Sequence, residues 1–253
     1  MIKILAIGNS FSQDATARLH DLAAAGGLDV MTGNLYIGGC SLQTHAENDS
    51  ADRPNYEYFV NGASTGRMIS IRTGLQEERW DYVTLQQASH DSGCLETYYP
   101  YVRQLSATVS RLAPQAEQLI HQTWAYETDS SHGAFPRYGC SQQAMYDNLD
   151  QAYRSVAADL GLRLIPCGQV IQAIRQQPLF DYARGGQSIC RDGFHLHLAY
   201  GRFAAAATWL EFILGQTVLG NPYRPEAADD AEPIDDEKLH VIRETVHRVV
   251  RGV

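Results

Sequence analysis

Short apolar runs alternate with stretches of helical period along this chain. Residues 2–7 are apolar except for Lys3, as expected of a strand buried on both faces. Over residues 11–25, Leu19, Leu22 and Ala23 fall on one side, predicting a helix that Gly26 and Gly27 stop. Residues 28–37 read as a second strand ending at Gly38-Gly39. Residues 55–71 alternate apolar and polar positions around Asn61-Gly62, a hairpin signal. Further strands are predicted at 81–87, 117–124 and 162–167. Further helices are predicted at 100–112, 141–160, 170–177 and 198–214.

Strands alternating with helices imply βαβ units. The expected architecture is a three-layer α/β/α sandwich around a mostly parallel five-stranded sheet. The whole chain, 1–253, is expected to be one domain, with an acidic Ala/Asp/Pro loop at about 225–236 and a last helix at 237–250. In such sheets ligands bind past the carboxyl ends of the strands. Ser10, Gly39 and Gln87 each lie at or just past such an end.

Composition narrows the reading. A net charge of −9 disfavours nucleic acid and anionic membranes as partners. The five cysteines (Cys40, Cys94, Cys140, Cys167, Cys190) have no C-x-x-C spacing, which removes the usual zinc and thioredoxin patterns. The first residues lack an apolar leader, and no apolar stretch is long enough to span a bilayer. The cytoplasm is the expected compartment.

Two segments carry candidate chemistry: Gly8-Asn9-Ser10-Phe11 after the first strand, and Asp192-Gly193-Phe194-His195 before a long apolar helix. A serine hydroxyl is a weak nucleophile until an imidazole takes its proton and a carboxylate orients that imidazole. Asp192 and His195, three apart, can meet on one turn. Taken alone, Ser10 suits a helix cap better than a nucleophile, and Ser12 suits a cap by its spacing. Gly62-Ala63-Ser64-Thr65-Gly66 matches the Gly-x-Ser-x-Gly pattern. It lies between alternating runs rather than between a buried strand and a helix, so a turn is the expected reading. His195 and His197 have a metal-like spacing but no acidic partner at ligand spacing, so no metal and no cofactor are expected.

These segments resemble the blocks of the SGNH (GDSL-type) hydrolase superfamily, in particular its DUF4886 branch. Gly8-Asn9-Ser10-Phe11 stands where the family usually has Gly-Asp-Ser-Leu. Gly38-Gly39 corresponds to the second block, residues 85–89 to the usual Gly-x-Asn-Asp, and Asp192-Gly193-Phe194-His195 matches Asp-x-x-His in full. The resemblance implies an SGNH/flavodoxin-like fold, Ser10 as nucleophile, His195 as general base then acid, and Asp192 as its orienting group. It also implies an oxyanion hole from the Ser10 and Gly39 amides plus a third donor. The third block has no Asn here. Gln87 is the first choice for that donor, with Gln86 and Ser89 as alternatives. Trp124 and Tyr126, past the fourth main strand, and His90, after the third block, are candidate substrate contacts; the aromatics equally suit a core. Arg184 to Arg191 reads as a glycine-containing loop leading into Asp192. The expected activity is hydrolysis of small acyl esters, with O-acetyl groups on carbohydrate the leading class. A short-chain lipase or thioesterase, or a sugar-binding protein with little turnover, are the alternatives.

Overall fold

Seven strands form one sheet in the order β4-β3-β2-β1-β5-β6-β7 in the computed structural model, which describes residues 1–227 and 233–253. The first strand, β1 (Ile2–Gly8), lies in the middle of the sheet. It pairs in parallel with β2 (Val30–Tyr36) on one side and β5 (Tyr82–Leu85) on the other. Two more parallel strands follow, β6 (Glu117–His121) and β7 (Arg163–Ile165). Residues Ile4 to Ile7 are buried, as a strand covered on both faces requires.

The sheet has seven strands rather than five because the hairpin joins it. Its arms, β3 (Tyr56–Val60) and β4 (Ala63–Ile69), add antiparallel to β2. Asn61 and Gly62 both take positive φ (50° and 80°), the conformation of a two-residue hairpin turn. Ser64 therefore lies on an exposed edge strand, and the Gly-x-Ser-x-Gly match is not a nucleophile turn.

The expected first helix is two pieces, α1 (Ser10–Thr16) and α2 (Leu19–Ala25). Two short helices escaped the sequence pattern: α3 (Leu42–Ser50) and α4 (Ile71–Glu77). They are followed by α5 (Tyr101–Leu112), α6 (Gln142–Leu160), α7 (Cys167–Arg175), α8 (Tyr200–Leu214) and α9 (Asp236–Arg251). Successive residues of β2 show the two covered faces. Asn34 meets Ser12 of α1, whereas Leu35 lies against Gly74 of α4. Helices α1, α2 and α7 pack on α8, and α9 packs on α7 and α8. Helix α8 is buried nearly all round, since α9 covers the side that the sheet does not.

Part of the expected acidic loop, residues 228–232, lies outside the described residues. All five cysteines are free thiols. Among the described residues no helix is long and apolar enough to cross a membrane.

Candidate active site

Ser10 opens α1 directly after β1, so its hydroxyl stands at the carboxyl edge of the central strand. The helix cap at this turn is Asn9, whose Oδ1 accepts the Phe11 N–H at 2.9 Å. That frees Ser10 from the capping role. Ser12 is not a cap either: its buried hydroxyl lies 2.8 Å from both the Asn9 carbonyl and Asn34 Oδ1.

The Asp192–His195 segment meets Ser10 from the other end of the chain. His195 Nε2 lies 2.9 Å from Ser10 Oγ, and His195 Nδ1 lies 2.7 Å from Asp192 Oδ2. A carboxylate only accepts, so the Nδ1 carries the proton and Nε2 is left to accept from the Ser10 hydroxyl. Asp192 Oδ1 accepts two backbone N–H groups, from His195 at 2.7 Å and Phe194 at 3.2 Å. Burial pushes the Asp192 carboxyl up, but the bonds from the His195 ring and these two amides outweigh it and hold the group below the usual carboxylate range.

Three anchors fix this loop. The Trp124 indole donates to the Phe194 carbonyl at 2.8 Å, Glu127 N to the Gly193 carbonyl at 2.7 Å, and Leu196 N to Asp14 Oδ2 at 2.9 Å. Gly193 has φ +85°, and a Cβ there would stand 3.0 Å from the Ser130 backbone, so this turn needs glycine.

Gly39 is exposed with φ +64°, on the loop between β2 and α3. Neither its amide nor that of Ser10 has a hydrogen-bond acceptor among the described residues, which leaves both donors available. The loop is held from behind. Asn9 Nδ2 donates to the Cys40 carbonyl at 3.1 Å, and Gln87 Oε1 accepts from Leu42 N at 2.9 Å.

Three expectations need correction. Gln87 is not an oxyanion donor. It is fully buried, its Oε1 accepts from Leu42 N and Ala88 N, and its Nε2 donates to the Thr97 carbonyl and hydroxyl at 3.1 and 3.0 Å, which uses both amide hydrogens. Gln86 also turns inward, with Nε2 on Asn9 Oδ1 and Oε1 facing His121 Nδ1, both at 2.8 Å. Trp124 and Tyr126 are 0% exposed and cannot stack on a ligand. Trp124 stacks on Phe11 with ring centroids 4.4 Å apart, and the Tyr126 hydroxyl reaches Ser89 at 2.9 Å. His90 does keep a part-exposed ring, beside Asp91 at 3.4 Å.

The sequence pattern assigns no site role to Phe194 or His132. The part-buried rings of Phe194 and His132 lie 4.9 Å apart, edge to face, and Phe194 is 4.2 Å from His195. Burial, and then the neighbouring charges of His90 and His195, push His132 below the usual histidine range. His197 caps the start of α8, its Nδ1 accepting from Ala199 N at 3.2 Å and Tyr200 N at 3.3 Å. No three His, Cys, Asp or Glu side chains converge as a metal site among the described residues.

Gly8 is needed for close approach. A Cβ there would lie 2.4 Å from Ser12 Oγ and 3.0 Å from the Gln86 amide carbon. Gly8→Ala is expected to cost about 1–3 kcal/mol through overpacking directly before Ser10. A thermal melt checks this, and an unchanged midpoint would show that the turn repacks freely.

The chain matches the family described as Domain of unknown function (DUF4886) over residues 3–235. A crystal structure of a DUF4886 family protein from Bacteroides uniformis ATCC 8492 is similar over 99% of this chain and 95% of that one, with 36% identity and a TM-score of 0.90. A putative SGNH hydrolase from Slackia heliotrinireducens covers 84% of this chain and 98% of its own, at 24% identity and a TM-score of 0.55. A catalytic mutant of the acetylxylan esterase Axe2 from Geobacillus stearothermophilus covers 89% of this chain and 97% of its own, at 11% identity and a TM-score of 0.51. No curated protein matches. The matching profile and the shared parallel sheet together place the chain in the DUF4886 family, on the fold of the SGNH hydrolases.

Proposed function

We propose that the protein is a serine esterase that removes small acyl groups, O-acetyl in the first instance, from carbohydrate. The observation that carries this reading is the continuous bond chain Asp192–His195–Ser10, with 2.7 and 2.9 Å steps, beside two unused backbone amides. Ser10 Oγ attacks the ester carbonyl carbon while His195 Nε2 takes its proton, and Asp192 stabilises the imidazolium. Charge gathers on the carbonyl oxygen and is met by the Ser10 and Gly39 N–H groups. The tetrahedral intermediate expels the alcohol, protonated by His195. Water, activated by the same imidazole, then releases the acid and regenerates Ser10.

The surroundings of Asp192 bear on the alcohol half. A cleft of about 330 Å³ beside Asp192 is lined by Asp129, Ser131, Tyr182, Ser188 and Asp192, together with Cys190, Arg191 and Gly193. That wall of hydroxyl and carboxyl groups suits a hydroxyl-rich leaving group better than a long acyl chain. The acetylxylan esterase that shares the fold acts on a substrate of that class.

The test is a panel of acetyl, butyryl and octanoyl esters of one chromogenic alcohol, followed by acetylated oligosaccharides. Acetyl esters should turn over fastest, with acetate released from the glycans. Octanoyl preference would replace this reading with a lipase. Absence of any turnover, together with sugar binding, would replace it with a binding protein. Activity is also expected to persist in excess EDTA, because His195 rather than a metal activates the nucleophile. Loss on chelation that zinc restores would sink the triad mechanism.

A further inference from the structure

Asn9 lies between Gly8 and Ser10, at the turn from β1 into α1. Its side chain is buried and makes three hydrogen bonds. The Phe11 N–H can only donate, so the atom facing it at 2.9 Å must be Oδ1. The other arm, facing the Cys40 carbonyl at 3.1 Å, is then Nδ2, which is a donor as that carbonyl requires. The orientation of Gln86 follows, with Nε2 donating to Asn9 Oδ1 and Oε1 turned to His121. His121 must then carry its proton on Nδ1. Burial lowers its pKa to about 3, so it stays neutral and keeps that role. Each partner in this buried line has one permitted orientation, set by a backbone N–H at one end.

The line ends on the loop that carries Gly39. Side chains from the centre of the sheet support that loop at two points, Asn9 at the Cys40 carbonyl and Gln87 at Leu42 N, beside the backbone bonds Ile37 N to the Gly8 carbonyl (3.5 Å) and Cys40 N to the Ile37 carbonyl (3.2 Å). Gly39 itself is exposed and has a left-handed φ, so its neighbours must fix the direction of its N–H.

We propose that Asn9 is a positioning residue for the oxyanion hole. Its amide ties the Gly39 loop to the turn that bears Ser10, and it must be an amide because one arm accepts and the other donates. This rests on the esterase reading above. An aspartate would still cap α1 and still accept from Gln86. Its second oxygen, however, would face the Cys40 carbonyl as a second acceptor and push the loop away.

Asn9→Asp separates this role from capping. Asp and Asn cap helices equally well, so a capping role alone predicts an active variant. Positioning predicts a fall in kcat of roughly 10–100-fold, with KM changed by less than about twofold, since a displaced oxyanion donor is missed mainly in the transition state. Asn9→Ser, which caps but is too short to reach Cys40, should behave the same way. Rates are measured well below each variant's melting temperature, and Ser10 is labelled in parallel with a fluorophosphonate. Slower labelling and a lower kcat in the folded variants support the proposal. Wild-type kcat in Asn9→Asp overturns it, as does wild-type kcat in Asn9→Ser should the aspartate variant fail to fold. If the unaltered protein neither labels at Ser10 nor turns over esters, the esterase reading has failed, and this inference falls with it.

Discussion

Replacement of Ser10 by alanine is expected to abolish ester hydrolysis and leave the fold intact. Among the described residues the hydroxyl's one side-chain partner is His195, and the cap of α1 is supplied by Asn9, so the helix start does not depend on it. The loss should be on the order of 10⁴-fold or more in kcat, as expected when a covalent nucleophile is removed and only the oxyanion donors remain. The midpoint of thermal unfolding should stay within a few degrees, because a half-buried hydroxyl contributes about 1 kcal/mol or less through such a bond. Initial rates on an acetyl ester and a melt of the same sample check both parts. Turnover at the wild-type rate in Ser10→Ala would show that another group attacks, and Ser10 would lose its role.

The parallel core of the fold was legible because strands covered on both faces are continuous apolar runs. Residues 2–7 needed no partner to be read. The hairpin was legible as a hairpin from Asn61-Gly62, but its place in the sheet was not. Six of the seven β4 residues are exposed, so the pattern holds no core face that would show β3 attaching to β2. Asp-x-x-His is local and could be read directly. The third oxyanion donor could not, because an amide near the carboxyl end of a strand does not say which way its side chain turns, and Gln86 and Gln87 point to opposite faces. Both faces are covered by helices at that level, and both side chains are buried. Instead the two glutamines support the loop from within, one through Asn9 and one through Leu42. Trp124 and Tyr126 misled for a related reason. Their residue type suits a sugar platform and a core equally, and the chain past β6 turns into the interior under Phe194.

Asp14→Ala is expected to destabilise the protein by about 3 kcal/mol, the lower end for breaking a buried ion pair. Asp14 lies one turn after Ser10 on α1 and is buried. It accepts from Arg202 Nε at 2.8 Å, Leu196 N at 2.9 Å and Arg191 Nη1 at 3.1 and 3.2 Å. These partners flank or follow the Asp192–His195 loop, so a single carboxylate ties the helix that begins at Ser10 to the segment that carries His195. The lower end of the range applies because the arginines keep 30% and 20% of their side-chain surface exposed and can recover some hydration. Leu196 N is buried and cannot. A sequence signal for this residue exists, since Asp14 is the only charged side chain between Ile4 and Ala17. A lone charge on a helix that packs against a sheet needs a partner. At roughly 2–4 °C per kcal/mol for a chain of this size, the melting midpoint should fall by about 6–12 °C. Activity should fall as well, because Leu196 follows His195 directly and its release loosens the ring. Asp14→Asn, which keeps an acceptor for Leu196 N but removes the charge, should lose less of both. Equal melting of Asp14→Ala and the unaltered protein would show that the two arginines hold the loop without it, and the carboxylate would then have no part in aligning His195 with Ser10.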